Sequence, residues 1–236
     1  NDMCIWMLAL IDFRVKSNKD LTEEMRNFFS IGHKNEIGAR RASFRVFQHG
    51  ENKENDMIIS YKELVKNEII KICKKILEVL QQKLIPNIRK ILQSSENEAD
   101  TSAHKEARIF YVKMVADYYR YLAEVDSEQK NAKKADKYYT QGGSLAEEHL
   151  KPTHPIRLGL SLNHSVCYFE LLKNQKKACE IGKKAFDEAI GQLDKIDESH
   201  YKESTLMMQL LRDNLNIWTT RTEDEANDEE NVDEAQ

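Results

Sequence analysis

Lys34, Arg41 and Arg45 are spaced by seven and four residues, which places three cations on one face of a helix. Like charges stacked this way cost a helix roughly 0.2–0.5 kcal/mol per pair unless something offsets them. No acid stands four residues to either side of Arg41. Spacing alone leaves two readings, a solvated basic face or a seat for an anion. A second set lies in the stretch from Lys113 to Tyr121, where Lys113 and Arg120 are again seven apart and Asp117 is four residues from one and three from the other. That pattern suits an internal ion-pair ladder. It also suits a carboxylate that orients the Arg120 guanidinium, whose planar fork matches the oxygens of a phosphate.

Two later stretches are apolar ridges interrupted by amides. Leu162 and Val166 flank Asn163, and Leu210, Ile217 and Trp218 accompany Asn214. An amide in an apolar stripe is either satisfied locally or free to give and accept hydrogen bonds along an extended peptide backbone. Enzyme motifs are missing: the chain has no Gly-rich phosphate loop, no G-x-S-x-G and no H-E-x-x-H. His149 and His154 straddle Pro152 off any common helix face, and His164 reads as a packed core histidine. No catalytic residue, cofactor or metal site is expected. Arg40-Arg41-Ala42-Ser43 has the form of a basophilic kinase target, but within a helix it reads as accidental.

Long helices must position these residues. Only eight Gly and three Pro occur in 236 residues, which favours uninterrupted helices over turn-rich sheet. Apolar periodicity predicts helices over about 3–15, from a cap at Asp20 (with Glu23) to 48, and over 55–84, where the stripe Ile58, Leu64, Ile69, Ile72, Ile76, Val79 and Leu80 stops at Pro86. A polar loop is expected over 93–103. Further helices follow over 103–125, with the stripe Ile109, Val112, Ala116, Tyr119 and Ala123, from a Ser127 cap to 150, and over 155–172, 175–193 and 201–218. The fold class is all-α, a bundle of about eight antiparallel helices. Residues 1–222 form one helical domain, and 223–236 form an acidic, unstructured tail.

Charge and cysteine use narrow the partners. The net charge is −4, but 223–236 holds eight acids and no Lys or Arg, so removing them leaves about +4 on residues 1–222. A nucleic-acid binder would concentrate far more positive charge. The most apolar run, Met3 to Ile11, is nine residues, well short of the roughly 20 that span a bilayer. No membrane span or signal peptide is expected. Cys4, Cys73, Cys167 and Cys179 form no C-x-x-C pair and read as reduced, buried thiols, placing the chain in the cytoplasm or nucleus.

Four ordered stretches carry a resemblance: KNEIGARRASFR (Lys34 to Arg45), FYVKMVADYYRYLAEV (Phe110 to Val125), PTHPIRLGLSLNHSVCYFELL (Pro152 to Leu172) and STLMMQLLRDNLNIWTT (Ser204 to Thr220). Together they resemble the signature stretches of the 14-3-3 family, and the resemblance runs from about Asp20 to Trp218. It implies a bundle of nine antiparallel helices, usually dimeric, with one amphipathic groove per subunit. It implies a non-enzymatic adaptor that binds phosphoserine or phosphothreonine segments of client proteins and so regulates signalling. Lys34, Arg41, Arg120 and the Tyr121 hydroxyl would hold the phosphate. Arg45 and Lys113 would line the basic side, Asn163 and Asn214 would bond the ligand backbone, and Glu170 would border the site. Leu162, Val166, Leu210, Ile217 and Trp218 would form the apolar wall.

Departures from the family pattern lie elsewhere. Asn1-Asp2-Met3 aligns part-way into the family's second helix, and Leu64 stands where an inter-subunit lysine is usual, so a weakened homo- or heterodimer is expected, with Ser43 and Tyr61 at the contact. The 88–108 segment is longer than the family's. Phe44, His164 and Cys167 replace other aromatics and bear on groove packing. The competing reading is a helical scaffold without phosphopeptide binding, against which stands the retention of all four phosphate-binding side chains.

Overall fold

A computed structural model describes residues 2–49, 55–94, 97–126 and 129–233, the side chains of 49, 98–100 and 221–233 excepted. The described residues are helical with no strand, in the order α1 (Asp2–Lys16), α2 (Glu23–His49), α3 (Asp56–Glu78), a π segment (Val79–Leu84), α4 (Ile85–Ser94), α5 (Glu98–Val125), α6 (Lys130–His149), α7 (Pro155–Glu170), α8 (Gln175–Ile190) and α9 (Tyr201–Asp233). Because α3 and α4 run together through the π segment, the nine α-helices make eight continuous rods among the described residues. Two compact units result, Asn1–Tyr138 and Tyr139–Gln236, with the boundary inside α6.

In the first unit α5 packs against α2, α3 and α4 and is buried on most of its circumference, from Tyr111 and Val112 through Met114, Val115 and Ala116 to Tyr118 and Leu122. A helix apolar nearly all round is a central helix. Its expected stripe holds at Ile109, Val112 and Ala116, whereas Tyr119 and Ala123 are half-buried. On α3 the buried line is Val65, Ile69, Cys73, Ile76 and Leu77. Leu64, one residue out of register with that line, is exposed, which corrects the stripe drawn through it: one residue is a rotation of about 100°.

Several local expectations are also corrected. Asp20 does not cap α2. Thr22 Oγ1 accepts from the Met25 N–H at 3.3 Å, while Asp20 is buried and accepts from the Tyr111 hydroxyl at 2.7 Å. Burial pushes the Asp20 carboxyl up, with the Tyr111 hydroxyl opposing. Pro86 does not end the rod. It has no N–H for the carbonyl four residues back, but the wider π turn, in which the Ile85 N–H reaches the Leu80 carbonyl, shifts the register so that helix resumes. The expected loop over 93–103 is mostly helix, since α4 ends at Ser94 and α5 begins at Glu98. The stretch 98–107 has no Gly or Pro and holds three Ala and two Glu, so propensity favours the helix. The Ser127 cap lies outside the described residues.

In the second unit Pro155 opens α7 behind the cap His154, whose Nδ1 accepts from the Ile156 N–H at 3.2 Å. Lys173 takes a left-handed φ of 54° after α7, and Asn174 then caps α8 by accepting from the Lys177 N–H at 2.9 Å. The core joins Leu158 and Leu162 of α7, Ala189 of α8, and Met208 and Leu211 of α9. The backbone of α9 continues through the acidic segment to Asp233.

Candidate functional site

In the first unit, α2 and α5 bring the two sets of cations together. Arg41 lies with its guanidinium fork on the Glu124 carboxylate, Nε to Oε2 at 2.8 Å and Nη2 to Oε1 at 2.6 Å. Arg120 reaches the same carboxylate from one turn earlier on α5, at 3.4 Å, and the largely exposed Arg45 comes within 3.5 Å. The Tyr121 ring, buried, lies beneath both forks, 4.0 Å from Arg41 and 4.8 Å from Arg120 measured to its centroid. Lys113 donates to Asp117 at 2.8 Å, a buried carboxylate on the next turn.

Electrostatics tie Lys34 into this group. Its pKa is pulled below the ordinary lysine value first by the like charge of Lys113, then by desolvation and Arg120, with Asp117 opposing. Burial works to raise the Asp117 carboxyl, but Lys113, Arg120 and Lys34 together outweigh it and hold the pKa at about 2. The Tyr121 hydroxyl is pushed up to about 12, chiefly by burial, so it stays a neutral donor at physiological pH. Five cations against the two carboxylates Asp117 and Glu124 leave an excess of three positive charges. A cluster of that sign, built on a buried helix and holding planar forks, is suited to a multiply charged oxyanion.

Glu124 is the member that sequence spacing missed. No acid lies four residues to either side of Arg41 on α2, so Arg41 reads as unneutralised, yet its partner sits 83 residues away on α5. The signal was present in part, since Glu124 stands four residues after Arg120.

In the second unit the remaining candidates divide by exposure. Leu210 and Ile217 on α9 and Glu170 at the end of α7 are exposed, and Asn163, Val166 and Asn214 are half-buried. Leu162 belongs to the unit's core, and Trp218 is buried with its indole stacked on Phe169 at 4.9 Å and 18°. His164 is half-buried, with its ring between Tyr139 at 5.3 Å and Tyr168 at 5.1 Å. A cleft of about 300 Å³ beside it is lined by Arg157, Lys177 and Lys184. Each of these has an acidic partner, Glu188, Glu180 and Glu147 respectively, so the cleft carries none of the charge imbalance found around Arg41.

Comparison with known proteins agrees with the pattern of residues. The family model described as 14-3-3 protein matches residues 1–219. The chain is 41% identical over 237 residues to 14-3-3 protein beta/alpha-B of Xenopus laevis, covering 97% of this chain and 90% of the relative. It is 43% identical over 219 residues to 14-3-3 protein 3 of Entamoeba histolytica, covering 88% and 85% respectively. A family match over nearly the whole chain, relatives above 40% identity and an all-helical architecture lead to one conclusion: the chain belongs to the 14-3-3 family.

Proposed function

We propose that this protein is an adaptor that binds phosphoserine or phosphothreonine segments of client proteins in an amphipathic groove and regulates signalling through them, without catalysis of its own. The observation that supports this is the two-pronged seat of Arg41 on Glu124. A carboxylate there presents the same pair of acceptor oxygens that a phosphate would, and a dianionic phosphate with three acceptors competes for the forks better than a monoanion does. In this reading Lys34, Arg41, Arg120 and Tyr121 hold the phosphate, with Arg45 and Lys113 on the basic side. Asn163 and Asn214 take the peptide backbone, Glu170 borders it, and Leu162, Val166, Leu210, Ile217 and Trp218 supply the apolar wall. Phosphorus NMR tests it directly. The resonance of a phosphoserine peptide should shift and broaden on adding the chain, and the effect should vanish with the double variant R41A/R120A; an unperturbed resonance would refute the reading.

The same ion pair supports a second reading, a helical scaffold whose basic cluster is already neutralised from within. Phosphate would then fail to displace Glu124, and the double variant would lose stability with no change in phosphopeptide binding. Homo- or heterodimerisation and a cytoplasmic location go with the adaptor reading. No helix among the described residues is long and apolar enough to cross a membrane.

A further inference from the structure

We propose that Cys4, His33 and Glu36 form a site for a single divalent transition-metal ion of the zinc class. A Cys4 sulfur, a His33 ring nitrogen and a Glu36 carboxylate oxygen lie within 4.8 Å of one another, with Cys4 and His33 buried and Glu36 half-buried. His33 and Glu36 are three residues apart and share one face of α2, and Cys4 comes from the first turn of α1. A tetrahedral zinc ion with bonds of roughly 2.0–2.3 Å spaces its ligands about 3.3–3.8 Å apart. Rotation of the half-exposed Glu36 side chain closes most of that difference.

The histidine is prepared for a ligand. Its Nδ1 lies 2.9 Å from the Phe29 carbonyl, which can only accept, so Nδ1 carries the proton and Nε2 carries the lone pair. Nε2 is buried and has no hydrogen-bond partner, although a buried polar atom without one is costly. A ligating histidine anchored through its other N–H to a backbone carbonyl is the usual arrangement around protein-bound metals. Phe29 packs edge-on against the ring at 4.8 Å and fixes its plane.

Charge also balances. On binding, the Cys4 thiol releases its proton to solvent, and thiolate, carboxylate and neutral imidazole then offset the two positive charges of the ion. Thiolate and imidazole donors favour zinc, cobalt or copper over magnesium or calcium. Three protein ligands leave a fourth position for water. Lys75 on α3 acts on both Cys4 and His33 and is the charge that opposes the cation. Sequence spacing hides the site, because Cys4 is distant from His33 along the chain and the cysteines read as inert thiols.

Cobalt titration of the full chain tests this independently of phosphopeptide binding. The wild type should take up one equivalent with an intense near-ultraviolet sulfur-to-cobalt band, bleached by zinc. C4S should lose the band, and E36Q, at a half-buried position, should bind at least tenfold more weakly. Absence of the band in the wild type, its persistence in C4S, or unchanged affinity in E36Q would overturn the assignment.

Discussion

Arg41 on α2 and Glu124 on α5 are 83 residues apart in the chain and meet through two hydrogen bonds of 2.8 and 2.6 Å. Arg120 and Arg45 share the same carboxylate at 3.4 and 3.5 Å. One acid therefore holds three guanidinium groups in place, and whatever anion enters must exchange with it.

Replacing Glu124 with Gln separates its two effects. The carboxylate competes with an incoming phosphate, so E124Q should bind a phosphoserine peptide several-fold more tightly. The same change removes the carboxylate charge that faces the largely buried Arg41 fork and should cost roughly 1–3 kcal/mol of stability. Peptide titration and urea unfolding on the same preparation check both signs.

Arg41→Lys or Arg120→Lys keeps the charge and removes the planar fork. Each should weaken phosphopeptide binding by about tenfold or more, equivalent to about 1.4 kcal/mol. Normal affinity in both variants would mean that these forks serve only the internal pairing with Glu124.

Asp117 predicts an acid limit. Its pKa is about 2 in the folded chain against an ordinary 3.8, so its contribution is fully present above the ordinary value and is lost as pH falls from there toward about 2. The amount is about 2 kcal/mol. Asp117→Asn should flatten the stability profile over that window, as read by denaturant midpoints at successive pH values.

Ile5, Trp6 and Phe13 expose apolar surface on α1, with Trp6 and Phe13 seven residues apart on one face. Such a patch invites self-association. The chain should sediment as a concentration-dependent dimer, and Trp6→Asp should shift it toward monomer; an identical profile for the two would remove α1 from the contact.

Much of this was legible in the sequence because helices announce themselves by period. The buried face of α5 and the two sets of cations follow from spacings of three, four and seven. What spacing could not supply was any relation between distant turns. The Arg41–Glu124 pair joins two helices, so no local window holds both partners. Pro86 reads as a stop because the rule assumes an α turn before it, whereas a π turn stands there. The helical start of α5 was hidden by polar composition, which resembles a loop unless propensity is weighed against it. Leu64 and Val65 differ by one position on α3, a distinction that only packing resolves. The family resemblance assigns Trp218 to a groove wall, and its stacking on Phe169 is invisible in sequence.

The most direct test of the phosphate site is fluorescence anisotropy with one labelled phosphoserine peptide and its unphosphorylated twin, titrated with the full chain at fixed ionic strength. Several charge-assisted bonds to Lys34, Arg41, Arg120 and Tyr121 should favour the phosphorylated peptide at least tenfold, about 1.4 kcal/mol. Equal affinity for the two peptides would contradict the account.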